Sequence, residues 1–380
     1  MKVLHEKTTW ILLLVLLLTP VLSMAQKNPR NLEIGWKTDT NKHMVPLEEF
    51  TILLLRDGIP PIDTPGFWEA KKAVSIYFEH EPVIAVQINN EAKAYPLSIL
   101  MFHEIVNDEL GNTPISATYC PLCNAALVFD RRLQHEGTTY LLDFGVSGML
   151  RNSDLVMWDR QTESWWQQFT GEALVGELAG TSLNLVSSQL ISVGEFFENY
   201  PEGKMLSAET GHSREYGTNP YSNYDDPDNI PRFYKGEIDN RLPPMERVID
   251  IQVKGRRKIY PLSAIQKLKV INDVFEGEPI VLFHTSRTIS VMDAGQINES
   301  REVGSTTVFS AILKGEKLQF ENTNEGRFKD KISGSVFTIT GYCMNGKYKG
   351  LQLEPVRHGN HFAFAWFAFY ADSEIFQYPE

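Results

Sequence analysis

Short runs of alternating apolar and polar residues dominate the chain and predict β-strands rather than long helices. The stretches VIAVQI (83–88) and VIDIQV (248–253) are strands of this kind. Further short runs rich in Val, Ile, Thr and aromatic residues follow each of them, separated by Gly, Asn and Asp. We therefore expect a mainly β fold (α+β) with a few short helices.

The strand pattern occurs twice, at an offset of 165 residues. Segments 81–115 and 246–280 align without a gap and share 13 residues in 35 positions. Both contain YPLS, where proline suits the first turn of a short helix. A second match joins 159–186 to 330–356. This self-similarity predicts two tandem, internally duplicated β-rich modules.

The predicted domain plan follows from these repeats. It places a first module at 26–190, a linker at 191–245 with one helix and a turn-rich stretch, and a second, degenerate module at 246–380.

The first 25 residues are typical of a signal peptide. Lys2 and Lys7 precede the apolar run at 11–18, which is too short to span a membrane, and SMA ends at Ala25. We expect an extracytoplasmic protein, periplasmic or secreted, with no stable membrane insertion after cleavage.

Charge and cysteine content limit the possible partners. The formal net charge of −12 argues against nucleic acid, which requires clustered Lys and Arg. A small-molecule or protein partner stays open. The chain has three cysteines, and outside the cytoplasm a free thiol needs burial, a disulfide or a metal.

The repeat separates structural residues from candidates for chemistry. Residues kept in both copies, such as Tyr95 and Tyr260, are interpreted as structural. Four residues of the first copy have no equivalent in the second: His103 faces Leu268, Glu104 faces Lys269, and Cys120 and Cys123 face Thr285 and Thr288. The chemistry is therefore expected in the first module.

The Cys-Pro-Leu-Cys motif at 120–123 favours a metal knuckle, because such a turn points two sulfurs at one spot. We predict that Cys120 and Cys123 bind copper or zinc with His103 as a further ligand. His284 is a weaker choice. Copper is slightly favoured, because an exported protein with few Cys and His residues suits metal delivery or redox work.

Two alternatives remain open at this stage. Cys120 and Cys123 could form the redox pair of a thiol-disulfide oxidoreductase, with His103 and Glu104 handling protons. They could also form a structural disulfide in a non-enzymatic ligand-binding or scaffold protein. Whether the protein is an enzyme is not decided by the sequence.

A polar stretch at 144–160 adds catalytic candidates. Asn152 and Asp154, together with Glu104, are predicted to form the polar shell of the site, with Asp154 in acid–base or supporting work. Cys343 faces Ala173 of the first copy and is expected to be a small buried thiol. His358 and His361 lie in an aromatic tail that is more typical of core than of a metal site.

The chain also resembles a known bacterial family. The stretches AKAYPLSIL, TYCPLCNAALVFDRR and FGVSGMLRNSDLVMWDR are similar to the exported family known as domain of unknown function 3179, over about residues 50–376. The resemblance implies an extracytoplasmic bacterial protein and no particular activity. The family usually has Gly where Asn124 stands and an aromatic residue where Arg151 stands, and it offers no counterpart for Cys343.

Overall fold

Short strands make up most of the regular structure, which confirms the mainly β prediction. The computed structural model describes residues 35–323 and 326–378, so the predicted signal peptide lies outside the described residues. The chain divides after Lys37, and the description below concerns the part from Thr38 onward. No helix in the described ranges is both long and apolar enough to cross a membrane.

The elements are brief because Gly, Asn and Asp turns interrupt the apolar runs. The helices are α1 (Ala70–Ala73), α2 (Leu97–His103), α3 (Val193–Asn199), α4 (Leu262–Leu268) and α5 (Ala363–Phe369). The strands are β1 (Thr51–Ile52), β2 (Phe67–Glu69), β3 (Pro82–Ile88), β4 (Glu91–Pro96), β5 (Ile105–Leu110), β6 (Thr113–Cys120), β7 (Ala125–Asp130), β8 (Arg132–His135), β9 (Thr138–Leu141), β10 (Phe144–Arg151), β11 (Asp154–Asp159), β12 (Trp165–Gln167), β13 (Ala173–Val175), β14 (Asn184–Val186), β15 (Gln189–Ser192), β16 (Lys204–Leu206), β17 (Arg247–Val253), β18 (Arg256–Pro261), β19 (Val270–Phe275), β20 (Glu278–Thr285), β21 (Ser305–Ser310), β22 (Ile312–Leu313), β23 (Glu316–Lys317), β24 (Phe320–Asn322), β25 (Phe328–Asp330), β26 (Val336–Phe337), β27 (Cys343–Asn345), β28 (His358–Phe362) and β29 (Glu374–Ile375).

The strands assemble into one large sheet and several small ones. The large sheet has the order β19-β20-β21-β15-β3-β4-β16-β2, so it contains strands of both predicted modules. Four smaller sheets have the orders β1-β10-β11-β12-β13, β14-β7-β6-β5, β28-β17-β18-β29 and β24-β25-β26-β27. The pairs β22-β23 and β8-β9 complete the set among the described residues.

The same order of elements recurs along the chain. Hairpin β3-β4, helix α2 and hairpin β5-β6 occupy 82–120, and β17-β18, α4 and β19-β20 occupy 247–285, with every boundary offset by 165. Each first hairpin then gains an antiparallel strand, a seven-residue helix and a parallel strand: β15, α3 and β16 in one case, and β28, α5 and β29 in the other. The predicted linker therefore contributes helix α3 and strand β16 to the first hairpin, as α5 and β29 are contributed to the second.

The core around the predicted site is continuous and apolar. Strands β6 and β7 are almost fully buried along their length, because the sheet carries side chains on both faces into the interior. The Cys-Pro-Leu-Cys motif joins these two strands and is buried with them. Any polar group at this turn is thus held away from water.

Candidate metal centre

The turn that carries the two thiols is built by its own residues. Cys120 ends β6, Pro121–Cys123 form one turn of 3-10 helix, and Asn124 has φ of 51° and ψ of 33°. Asn adopts this left-handed conformation more readily than other residues with a side chain, and it reverses the chain so that Ala125 pairs with Cys120. The Asn124 amide also donates to the Asn360 side chain at 2.9 Å, which fixes the turn.

Asp154 reaches the same place from a neighbouring hairpin. Strands β10 and β11 are joined by Asn152 and Ser153, both with positive φ, and Arg151 pairs with Asp154 across the turn. Two such residues form the tight turn that matches the twist of a hairpin. Asp154 is the first residue of β11 and is fully buried.

These elements bring three ligand atoms together. The sulfurs of Cys120 and Cys123 and a carboxylate oxygen of Asp154 all lie within 4.8 Å of one another. All three cysteines of the chain are free thiols, so no disulfide links Cys120 to Cys123. The Cys120 thiol faces the carbonyl oxygen of Ser153 at 3.9 Å. The arrangement provides two sulfur donors and one oxygen donor for a cation.

The Asp154 carboxylate is held firmly on one side only. Its Oδ2 accepts hydrogen bonds from Nε2 of Gln167 at 2.6 Å and from the backbone N–H of Phe169 at 2.9 Å. Its Oδ1 is buried and has no hydrogen-bond partner. A buried polar atom without a partner is costly, so Oδ1 is suited to a ligand outside the protein chain.

Glu104 adds a second carboxyl group beside this cluster. It follows α2 with φ of 59° and ψ of −31°, an uncommon backbone conformation for glutamate. The side chain is buried, and no donor among the described residues hydrogen-bonds to its carboxyl group. Burial, with a smaller contribution from the nearby charge of Asp154, raises the pKa of Glu104 to about 8.

Burial also shifts the pKa values of Asp154 and of the two thiols. Burial raises the pKa of Asp154 to about 6, although hydrogen bonds from Gln167 and Phe169 oppose the shift. Burial also raises the pKa of the Cys120 and Cys123 thiols. Neither Glu104 nor Asp154 has a Lys or Arg ion-pair partner in the part of the chain that the structure describes. The two thiols and the Asp154 carboxyl group therefore lie together, and Glu104 is close enough to raise the pKa of the Cys120 thiol.

His103 is not brought into this group. Its Nδ1 bonds to the carbonyl oxygen of Pro60 at 2.7 Å, and its Nε2 lies 2.6 Å from the Tyr216 hydroxyl. Both ring nitrogens are therefore already engaged, and the three-residue ligand cluster does not include it. The cluster contains Asp154 where the sequence predicted His103 as the third ligand, and the His103 ring instead contacts Pro60 and Tyr216.

The remaining sequence candidates have other surroundings. His284, the weaker choice, is buried on β20 with Nδ1 at 2.9 Å from the Thr306 hydroxyl. Asn152 forms the β10–β11 turn and is only half-buried. Cys343 is buried, as expected, and its thiol faces the Asn345 carbonyl oxygen at 3.1 Å.

Sequence reasoning assigned Asp154 an acid–base or supporting role rather than metal binding, and it missed Gln167. The signal for Asp154 was available, because this residue has no clear partner in the second copy, as the two thiols have none. Gln167 lies thirteen residues away on β12 and carried no motif. Only the pairing of Val156 with Gln167 across β11 and β12 places its amide beside the carboxylate.

The described part of the chain is thus a mainly β protein with a buried cluster of two thiols and one carboxyl group. The chain belongs to the family described as protein of unknown function (DUF3179), whose model matches residues 56–373. No curated protein and no solved structure matches the chain.

Proposed function

We propose that this protein is an exported metal-binding protein that holds one thiophilic metal ion through Cys120, Cys123 and Asp154. The observation that carries the proposal is the cluster of three buried ligand atoms, with Oδ1 of Asp154 left without a partner. A cation in this volume compensates charges that burial otherwise penalises, since thiolates and carboxylates are the charged forms.

The donor set favours zinc over copper. Zinc accepts cysteine sulfur and aspartate oxygen in one tetrahedral site, whereas Cu(I) prefers soft sulfur ligands alone. In the proposed site the third ligand is the hard carboxylate oxygen of Asp154 rather than the imidazole of His103 that the sequence predicted. This change favours zinc, whereas the sequence slightly favoured copper. Copper stays the second choice because both thiols are retained.

Three protein ligands leave a fourth position for water or a substrate, as in catalytic rather than structural zinc sites. Glu104 stands beside the ligands as a carboxyl group with a pKa of about 8. A group of this pKa holds a proton near neutral pH and can exchange it with a neighbour. The site therefore supports catalysis as well as storage, and we name no reaction.

Thiol-disulfide exchange is the main competitor, because the two thiols are free and adjacent. It requires a thiolate, and burial raises the pKa of both thiols here. A cation lowers those pKa values again, which is why metal binding fits better.

The test is metal analysis of the purified protein together with thiol counting. We expect one zinc ion per chain by elemental mass spectrometry, lost in Cys120→Ser and in Asp154→Asn. Cys343→Ser is the matched control, since this thiol is buried elsewhere, and it should keep the ion. Circular dichroism verifies that each variant folds.

Two other results would reject the proposal. Metal-free protein with two thiols that cycle between reduced and oxidised forms supports an oxidoreductase. Metal-free protein whose Cys120–Cys123 disulfide resists mild reductant supports a structural role.

We also infer that the two segments arose by duplication of one unit and that the chain is exported. The equal offset of five elements supports the first inference, and the composition of residues 1–25 supports the second.

A further inference from the structure

A cavity of about 230 Å³ lies beside the metal centre, between strand β7 and strand β28. Apolar residues of β7 and β14 form one wall, and aromatic rings of Phe169, Trp366 and Tyr370 form another. The volume lies below the usual range for drug-sized ligands, so the cavity suits a molecule of few atoms.

Charges of both signs line this small space. Asp250 lies on β17 with a side chain that is 15% exposed, and Arg357 lies just before β28 at the surface. Asp250 and Arg357 do not form an ion pair with each other within the described residues. Two opposite charges that line one cavity without pairing with each other match a ligand that carries both signs itself.

Contacts from Gly359 and His361 hold the carboxylate at the acidic end of the cavity in place. Oδ1 of Asp250 accepts the backbone N–H of Gly359 at 2.7 Å and lies 3.0 Å from Nε2 of His361. A Cβ atom at position 359 would lie 2.2 Å from that same nitrogen, so only glycine allows His361 to approach. This end of the cavity is therefore organised around the carboxylate.

His361 also leaves one nitrogen unused. The side chain is 2% exposed, and its Nδ1 is buried without a hydrogen-bond partner. Nε2 lies against the Asp250 carboxylate, so Nδ1 is the ring nitrogen that has no partner. An ammonium group at this end of the cavity would be attracted by Asp250 and by the neighbouring aromatic faces.

We propose that this cavity binds a free apolar α-amino acid. The ammonium group lies against Asp250 and His361, the carboxylate pairs with Arg357, and the side chain packs against the apolar wall of Leu127, Val128 and Leu185. The site is separate from the thiol cluster, although Phe169 contributes its ring to the cavity and its backbone N–H to Asp154.

The test is isothermal titration of the purified protein with L-leucine and two analogues. 4-Methylpentanoate has the same carbon skeleton without the amine, and 3-methylbutylamine lacks the carboxylate. We expect L-leucine to bind and both analogues to bind at least about tenfold more weakly, because each loses one charged hydrogen-bonding group. Equal binding of either analogue overturns the proposal, as does no binding of L-leucine in the millimolar range.

Variants assign the binding to this cavity. Arg357→Gln and Asp250→Asn should each weaken L-leucine binding about tenfold or more, and Asn can still accept from His361 and Gly359. Arg256→Gln is the matched control, since Arg256 is an exposed arginine on the neighbouring hairpin. Unchanged affinity in both cavity variants overturns the proposal.

One further variant separates the cavity from the metal centre. Amino acids can chelate zinc through their amine and carboxylate, so the titration is repeated with Cys120→Ser. We expect the affinity for L-leucine to be kept in this variant. Loss of binding there, with Arg357→Gln unaffected, would assign the ligand to the metal instead.

Discussion

The segments at 82–120 and 247–285 share their order of elements but not their chemistry. Each has a hairpin, a seven-residue helix and a second hairpin, and the residue after the helix has nearly the same backbone angles in both: φ of 59° at Glu104 and 62° at Lys269. Glu104 is buried beside two thiols, whereas the Lys269 ammonium reaches outward to the Ser286 hydroxyl at 2.7 Å. The same backbone position thus carries a site in one segment and a surface contact in the other.

The contacts that recur in both segments are those that hold the hairpins together. The Tyr95 hydroxyl donates to Asp108 at 2.7 Å, and the Tyr260 hydroxyl donates to Asp273 at 2.8 Å. A lysine joins each of these carboxylates, at 2.8 Å for Lys93 and at 2.9 Å for Lys258. The comparison teaches that the residues kept in both segments hold the hairpins together, whereas the buried thiols and Glu104 occur in the first segment alone.

Exchanging the residue after the helix should have the largest effect. Glu104→Lys introduces the residue of the second segment into the buried cluster, where its ammonium pairs with Asp154 and competes with the metal. We expect zinc affinity to fall by about 100-fold or more, measured by competition with a chelating dye. The reciprocal Lys269→Glu is the control and should leave zinc affinity unchanged. Full zinc affinity in Glu104→Lys would contradict the placement of the site.

The stability of the protein should depend on pH through Glu104 of the first segment and not through an exposed glutamate of the second. The Glu104 pKa of about 8 is higher than its ordinary value of 4.5, so the folded metal-free protein holds this proton more tightly than the unfolded chain does. The free energy of unfolding should therefore fall as pH rises from about 4.5 to about 8, by up to about 5 kcal/mol.

Denaturant titrations at several pH values measure this slope. Glu104→Gln should remove most of the slope above about pH 6, because Asp154, whose pKa is about 6, contributes only below that pH. Glu278→Gln, at an exposed glutamate of the second segment, should keep the whole slope. An unchanged slope in Glu104→Gln would show that the carboxyl group is not buried in the folded protein.

Replacing Gln167 should lower zinc affinity less than replacing a ligand does, but more than replacing Thr338 of the second segment. Gln167→Ala removes the 2.6 Å hydrogen bond that orients Asp154, and we expect zinc affinity to fall by about 10- to 100-fold. Thr338 takes the corresponding place after β26, so Thr338→Ala should not change zinc affinity. Equal losses of zinc affinity in Gln167→Ala and Thr338→Ala would contradict the role of Gln167 in orienting Asp154.

The smallest difference is expected for the shared tyrosines. Tyr95→Phe and Tyr260→Phe each remove one hydrogen bond to a carboxylate, so each should lower the free energy of unfolding by about 1–3 kcal/mol. Zinc content should stay the same in both. Chemical denaturation measures the two losses, and a large inequality between them would mean that the two hairpins are not held in the same way.

The sequence predicted the fold class and the buried thiol at Cys343. Short strands and the repeat were visible because local periodicity and self-similarity need no tertiary information. The ligand set was only partly predictable. Helix α2 ends immediately after His103, and the turn of the backbone there separates His103, held by Pro60 and Tyr216, from the thiols.

Residues from different hairpins were the hardest to foresee. Asp154 meets the thiols because a two-residue turn sets the register of β10 and β11, and Gln167 follows only from the pairing of β11 with β12. Register depends on which faces are buried across a sheet, which a single strand pattern does not reveal.

The long irregular segment after β16 has a kinetic consequence for the proposed centre. The Tyr224 hydroxyl donates to the carbonyl oxygen of Leu122, inside the loop between the two cysteines, at 3.1 Å. Tyr224 is itself 2% exposed, so the hydrogen bond joins a buried residue of this segment to the Cys-Pro-Leu-Cys loop. For an ion held by the proposed centre, release would then require the Tyr224–Leu122 hydrogen bond to break as well as the bonds to the thiolates. The residence time of the ion would therefore depend on Tyr224 as well as on the ligands.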